Sequence, residues 1–192
     1  SFDFFDLIPL IISSKLLLLI ETTAIILYNN TMMINGGICL RILVLSDSHG
    51  DFFSMKKAIE AQPTAEAVIF LGDGHIDFER AKPLLEGKRI YEIQGNNDFH
   101  CKYPKNQIIN EGGLKTYITH GHYEYVKSSL ARLISICKRN NCQLALYGHN
   151  HRQQEDNADG IKLFCPGALK DDEYGVIDIV DNGFICIGIK LR

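Results

Sequence analysis

Beyond residue 33, short apolar runs alternate with stretches of mixed polarity. CLRILVLS (39–46), AVIFL (67–71) and RIYEIQ (89–94) read as buried strands, and the segments between them, 52–62 and 77–87, as helices. Strands separated by helices imply βαβ units and a parallel sheet. The pattern then changes. KNQIIN (105–110), EGG and LKTYITH (114–120) predict a hairpin, and SSLARLISICKRNN (128–141) spaces Leu, Ile and Ile for a helix with serine as its cap. CQLALYG (142–148) is a strand. GIKLFC (160–165), YGVIDIV (174–180), the turn DNG and FICIGIKLR (184–192) are expected to close the chain as antiparallel strands. With no repeats, low-complexity tracts or linkers, residues 34–192 read as one α/β domain whose sheets begin parallel and end antiparallel.

Residues 1–33 form an apolar N-terminal extension of different character, rich in Leu and Ile and free of glycine. Asp3 and Asp6 stand where a secretory signal needs positive charge, and no A-x-A site follows. As a membrane span it is marginal: the 13 Leu and Ile between Leu7 and Tyr28 favour insertion by about 4–8 kcal/mol, and Lys15 and Glu21 oppose it by roughly 5–7 kcal/mol. Pro9 and four Ser and Thr residues oppose it further. The expectation is an over-extended start, with Met33 the natural beginning, or an extension that packs on the domain or supports a homo-oligomer. A membrane anchor is not expected.

Composition narrows the class. The 192 residues suffice for one domain with a core, and a net charge of −3 offers no basic surplus for long nucleic acid. Six cysteines are scattered without a CxxC pair, which suits reduced, buried thiols in a cytoplasmic protein, with a Cys137–Cys142 disulfide or a metal thiolate as minor alternatives.

The chemistry sits where strands end. Successive apolar runs lead into Asp47-Ser48-His49, Asp73-Gly74-His75, Asn96-Asn97-Asp98, His120-Gly121-His122 and His149-Asn150-His151. In α/β sheets that edge is where ligands bind. Singly, each motif is ordinary turn chemistry. Jointly they are not, because turns have no need for imidazoles and six of the seven histidines fall here. Asp, Asn and neutral His are oxygen and nitrogen donors suited to Mn²⁺, Fe²⁺, Co²⁺, Ni²⁺ or Zn²⁺, and seven such ligands suit two ions rather than one. If D-x-H and H-x-H are extended, positions i and i+2 face the same side, so His149 and His151 would enter one pocket and each could serve a different ion.

In this order, D-x-H, G-D, G-N-x-D, H-G-H and G-H-x-H resemble the calcineurin-like metallophosphoesterases. SDSHGD early and CPGALKDDEYGVIDI late resemble the small prokaryotic YfcE-like phosphodiesterase branch, from about Leu40 onward. The resemblance implies an αββα sandwich of two mixed β-sheets flanked by helices. It implies that Asp47, His49 and His151 hold one ion, that Asn96, His120 and His149 hold the other, and that Asp73 bridges them with one oxygen to each. It further implies hydrolysis of a small phosphodiester by a hydroxide shared between two divalent ions, Mn²⁺ first among them. Asp98 is expected to orient its loop. Where many relatives carry G-N-H-[DE], this chain has Asn97, which cannot act as an acid. That disfavours a phosphomonoesterase and leaves His122 or His75 to protonate a leaving group. The rival is a non-catalytic scaffold, as in the retromer subunit of this fold, whose metal site is incomplete. The complete ligand set here favours an enzyme.

Overall fold

The computed structural model describes residues 40–191; the N-terminal extension lies outside them. Ten strands form two five-stranded sheets. The first has the order β10-β9-β1-β2-β3, from β1 (Leu40–Leu45), β2 (Ala67–Phe70), β3 (Arg89–Glu92), β9 (Glu173–Val180) and β10 (Gly183–Lys190). The second has the order β4-β5-β6-β8-β7, from β4 (Asn106–Glu111), β5 (Leu114–Thr119), β6 (Leu144–Leu146), β7 (Gln153–Ala158) and β8 (Ile161–Pro166). Both sheets are mixed: β1, β2 and β3 are parallel, β9 and β10 antiparallel. β6 runs parallel to both β5 and β8, with antiparallel β4 and β7 at the edges.

The apolar runs are continuous because both faces of the inner strands are covered. Successive side chains of a strand point to opposite faces. In β1, Ile42 and Val44 join a core with Ile118, Leu144, Leu146 and Phe164 of the second sheet, while Leu43 and Leu45 pack with Met55, Ala58 and Phe78 of the helices outside the first. In β6, Leu144 and Leu146 face the first sheet and Ala145 faces Leu133 and Cys137 of the opposite helix. Those helices are α1 (Phe52–Glu60), α2 (His75–Ala81) and α3 (Ala131–Asn140). The result is helix, sheet, sheet, helix, the αββα sandwich expected.

Several local expectations change. The helix expected over 77–87 begins at His75, and its second half is a 3₁₀ turn, Lys82–Leu85, because Pro83 has no N–H to continue the α-helical ladder. The helix expected from 128 starts at Ala131 with Leu130 as its N-cap residue, and Ser129 contributes only a hydroxyl accepting the Ala131 N–H at 3.1 Å. β8 does not close the chain beside β9; it runs parallel to β6 in the other sheet. β7 was not expected at all. Its sequence, QQEDNA, carries no apolar stripe because it is an edge strand with largely exposed side chains.

Cys137 and Cys142 are free thiols, as are Cys101, Cys165 and Cys186. Burial pushes the thiols of Cys137, Cys165 and Cys186 up to about 12, which keeps them protonated and inert. Among the described residues no helix is long and apolar enough to cross a membrane.

Candidate metal centre

The five motifs meet at one edge of the sandwich, three from the first sheet after β1, β2 and β3, and two from the second after β5 and β6. They do not arrive as extended segments. Asp47 (φ 55°), His49 (47°), Asp73 (59°), His149 (67°) and His151 (54°) all adopt the left-handed conformation. The alternation expected for D-x-H and H-x-H therefore does not operate. Tight left-handed turns aim these side chains, at about 1–2 kcal/mol for each non-glycine residue. Such conformations persist where the surroundings over-determine them, and they cluster at functional sites.

The turns gather two sets of donors. The ligand atoms of Asp47, His49 and His151 lie within 4.8 Å of one another, as do those of Asp73, His120 and His149. Asn96 joins the second set, its Oδ1 3.1 Å from Nε2 of His120. Asp73 lies between the sets: its Oδ2 is 3.5 Å from Nε2 of His120 and 3.8 Å from Nε2 of His49. Each oxygen of Asp73 also accepts from Asn97, Oδ1 the backbone N–H and Oδ2 the side-chain amide, both at 2.7 Å. His149 and His151, two residues apart, fall in different sets.

The supports explain the glycines in the motifs. Asp98 is buried and accepts four backbone N–H groups, from Asp73, Gly74, His75 and Gly95, at 2.8–2.9 Å. Burial opposes its charge, yet these donors hold its carboxyl below the ordinary range. Asp98 thus pins the β2 loop to the β3 loop. A Cβ on Gly95 would stand 2.1 Å from Oδ1 of Asp73, and one on Gly148 would stand 2.0 Å from Oγ of Ser46 and 2.7 Å from Oδ2 of Asp47. Only glycine lets these backbones approach the carboxylates. Oδ2 of Asp47 also accepts the Ser46 hydroxyl and the His149 N–H, the latter at 3.0 Å. Sequence reasoning quoted both glycines within G-N-x-D and G-H-x-H without giving them this role, and it missed Ser46.

The donors fit cations. Oδ1 of Asp47 is fully buried with no hydrogen bond, although Nε2 of His151 lies 3.0 Å away. Nε2 of His49 and Nε2 of His151 face each other at 3.2 Å. Buried carboxylates without a counter-charge are costly, and lone pairs converging on common points are what a coordinated ion satisfies. Burial of Asp47 opposes ionisation, but His151, His49 and His120 beside it drive its carboxyl far below the ordinary range. His120 is held in register by Nδ1 at 2.8 Å from the Leu71 carbonyl, which leaves Nε2 as the donor.

A sequence profile of the calcineurin-like phosphoesterase superfamily domain matches residues 40–181. This chain belongs to that superfamily. A phosphodiesterase of Methanocaldococcus jannaschii is 28% identical over 144 residues, covering 67% of this chain and 83% of its own. An uncharacterized predicted phosphoesterase of Streptococcus pneumoniae, 26% identical, superposes with a TM-score of 0.68 over 79% of this chain and 90% of its own. Vacuolar protein sorting 29 of Cryptosporidium parvum superposes with a TM-score of 0.66 over 80% of this chain and 92% of its own, but at 16% identity that likeness is one of fold alone.

The remaining candidates divide. Asn97 donates its side-chain amide to Oδ2 of Asp73 at 2.7 Å, so it orients that carboxylate. The His122 ring lies 5.5 Å from that of His120 and 6.2 Å from that of His149, outside both donor sets. Burial, then the charge of His120, lowers its pKa, and its Nδ1 is buried without a partner. His75 presents Nδ1 to Oδ1 of Asp98 at 3.2 Å and lines a cavity with His49, Asp73 and Asn97.

Proposed function

We propose that this phosphoesterase is a dinuclear metal-dependent phosphodiesterase acting on small phosphodiesters. The observation that carries the reading is the pair of three-residue donor sets with one oxygen of Asp73 between them. The first ion would be held by Asp47, His49 and His151, the second by Asn96, His120 and His149, with Asp73 common to both. Two divalent ions there would make water acidic enough to attack phosphorus near neutral pH and would neutralise phosphate charge, Mn²⁺ being the first expectation and Fe²⁺, Co²⁺, Ni²⁺ and Zn²⁺ the others.

The chain's own groups then divide the remaining work. Asn97 and Asp98 hold Asp73 in place. His75 is better suited than His122 to give the leaving oxygen its proton. Its ring lies beside Asp98 and lines the cavity with His49 and Asp73, whereas the His122 ring lies outside both donor sets and burial lowers its pKa. The phosphodiester preference is supported by Asn97 at the position where an acid would be expected, and by the activity named for the archaeal relative. Residues 34–192 would carry the whole activity, in the cytoplasm, with residues 1–33 dispensable for catalysis.

The experiment is hydrolysis of bis(4-nitrophenyl) phosphate by purified protein, with and without Mn²⁺, beside elemental analysis. Metal-dependent turnover with about two ions per chain supports the reading. The fold likeness to vacuolar protein sorting 29 keeps the scaffold as the rival, and absence of turnover with every one of the five metals would favour it. Faster turnover of 4-nitrophenyl phosphate than of the diester would instead favour a phosphomonoesterase.

A further inference from the structure

Two cavities border the metal centre, and they differ in chemistry. One, of about 340 Å³, is lined by His49, Asp73, His75, Ile76 and Asn97 from the loops of the first sheet. The other, of about 480 Å³, belongs to the second sheet and lies between the segment after β5 and the one after β6. Lys127, Ser128 and Ser129 line it from one side, and Asn150, Arg152 and Gln154 from the other. Asn150, which lines the second cavity, stands in the chain between His149 of one donor set and His151 of the other. None of its lining residues is a carboxylate. Lys127 and Arg152 are exposed, and neither pairs with a carboxylate among the described residues.

Two unpaired cations and two hydroxyls around one cavity form an oxyanion receptor, the guanidinium offering a fork of donors and the ammonium a point charge. The position is informative because a phosphodiester has two arms. With phosphorus at the ions, one arm meets the His75 side and the other can reach the Lys127–Arg152 side. Oδ1 of Asn150 is buried without a hydrogen-bond partner, an acceptor for a hydroxyl on that second arm.

We propose that this cavity binds an oxyanion carried on one arm of the substrate, so that the preferred diester is asymmetric, with a phosphate or carboxylate near the scissile group. The proposal rests on the phosphodiesterase reading above. The test uses three 4-nitrophenyl phosphodiesters, whose second arm is ethyl, 2-carboxyethyl or 2-(phosphonooxy)ethyl, with the full chain in Mn²⁺. The wild type is expected to favour at least one charged arm over ethyl by about tenfold in kcat/KM, as a charge-assisted contact allows. The double variant Lys127→Gln/Arg152→Gln, checked for an unchanged melting temperature, should lose most of that ratio, and rising salt should erode it in the wild type. Which charged arm gains more identifies the oxyanion. Equal rates for all three arms, or a preference that survives in the double variant, overturns the subsite while leaving the phosphodiesterase intact. Failure to hydrolyse any of the three overturns both.

Discussion

The two donor sets differ in exposure: His49 and His151 give the set of Asp47 its open side, whereas His120 and Asp73 make the set of His149 the more closed half, although Asp47 itself is buried and His149 is partly exposed. The side chains of His49 and His151 are 25% and 29% exposed, whereas His120 and Asp73 are 0% and 1% exposed. The anchoring differs too. His120 is tied to the Leu71 carbonyl, and Asp73 accepts two hydrogen bonds from Asn97. The closest ring contacts of His49 and His151 are with each other and with carboxylates of the centre itself. Imidazoles thus serve two purposes: His120 helps hold the fold together as well as offering a donor, whereas His49 and His151 offer donors alone.

The largest effect should come from removing the one residue that belongs to both halves. Asp73→Asn keeps the shape but weakens the charge that faces His49 and His120. Loss of kcat/KM on bis(4-nitrophenyl) phosphate is expected to reach about a thousandfold, or about 4 kcal/mol, with bound metal well below that of the wild type by elemental analysis. Full metal-dependent activity in Asp73→Asn would break the arrangement of two sets around a common oxygen.

Next comes the group beneath the closed half. Asp98→Ala strands four backbone N–H donors, so it should destabilise the protein by about 3 kcal/mol or more, lowering the melting temperature by roughly 6–12 °C. The pH sign follows from the depressed folded pKa of Asp98. Its contribution is complete above the unfolded value of about 3.9 and is lost as pH falls through the lower folded value. The gap between wild type and variant should therefore be wide at pH 7 and narrow toward pH 2. A gap that stayed constant would remove Asp98 from that role.

The donors were legible from sequence because imidazoles at strand ends are poor turn residues with no other reason to recur beside Asp and Asn. Their means of convergence was not. Left-handed φ at Asp47 or His151 depends on neighbours such as Ser46 and Gly148 that come from different sheets, and no local pattern encodes it. The layered fold was legible from apolar runs, which mark strands buried on both faces. β7 was not, because an edge strand of QQEDNA is stabilised by pairing with β8 rather than by its own side chains. The Lys127–Arg152 cavity is likewise a product of assembly: its two cations lie 25 positions apart and meet only because β5 and β6 are neighbours.

The halves can also be separated by single histidines. His120→Ala leaves a buried void and frees the Leu71 carbonyl, which should cost about 2–3 kcal/mol of stability. His49→Ala, at a quarter-exposed position, should stay within about 0.5 kcal/mol of the wild type. Both should lose most metal-dependent turnover. Urea unfolding paired with the diester assay measures each, and equal stability losses would erase the distinction between the halves.

The smallest effect expected is a difference in how the two ions leave. An ion held by His49 and His151 can exchange either imidazole for water without opening the core; one held by His120 cannot release that ring so, because it has no exposed surface. Titration of the Mn²⁺-loaded protein with a chelator should therefore remove metal in two steps, the first at an apparent affinity about tenfold weaker, or about 1.4 kcal/mol. The first ion lost should belong to His49 and His151, so His49→Ala should abolish the weaker step and keep the tighter one. Activity should fall with the first step, since Asp73 then faces a single ion, while the melting temperature should fall mainly with the second. If the variant instead loses the tighter step, the exposed histidines belong to the stronger site, and exposure does not rank the two halves.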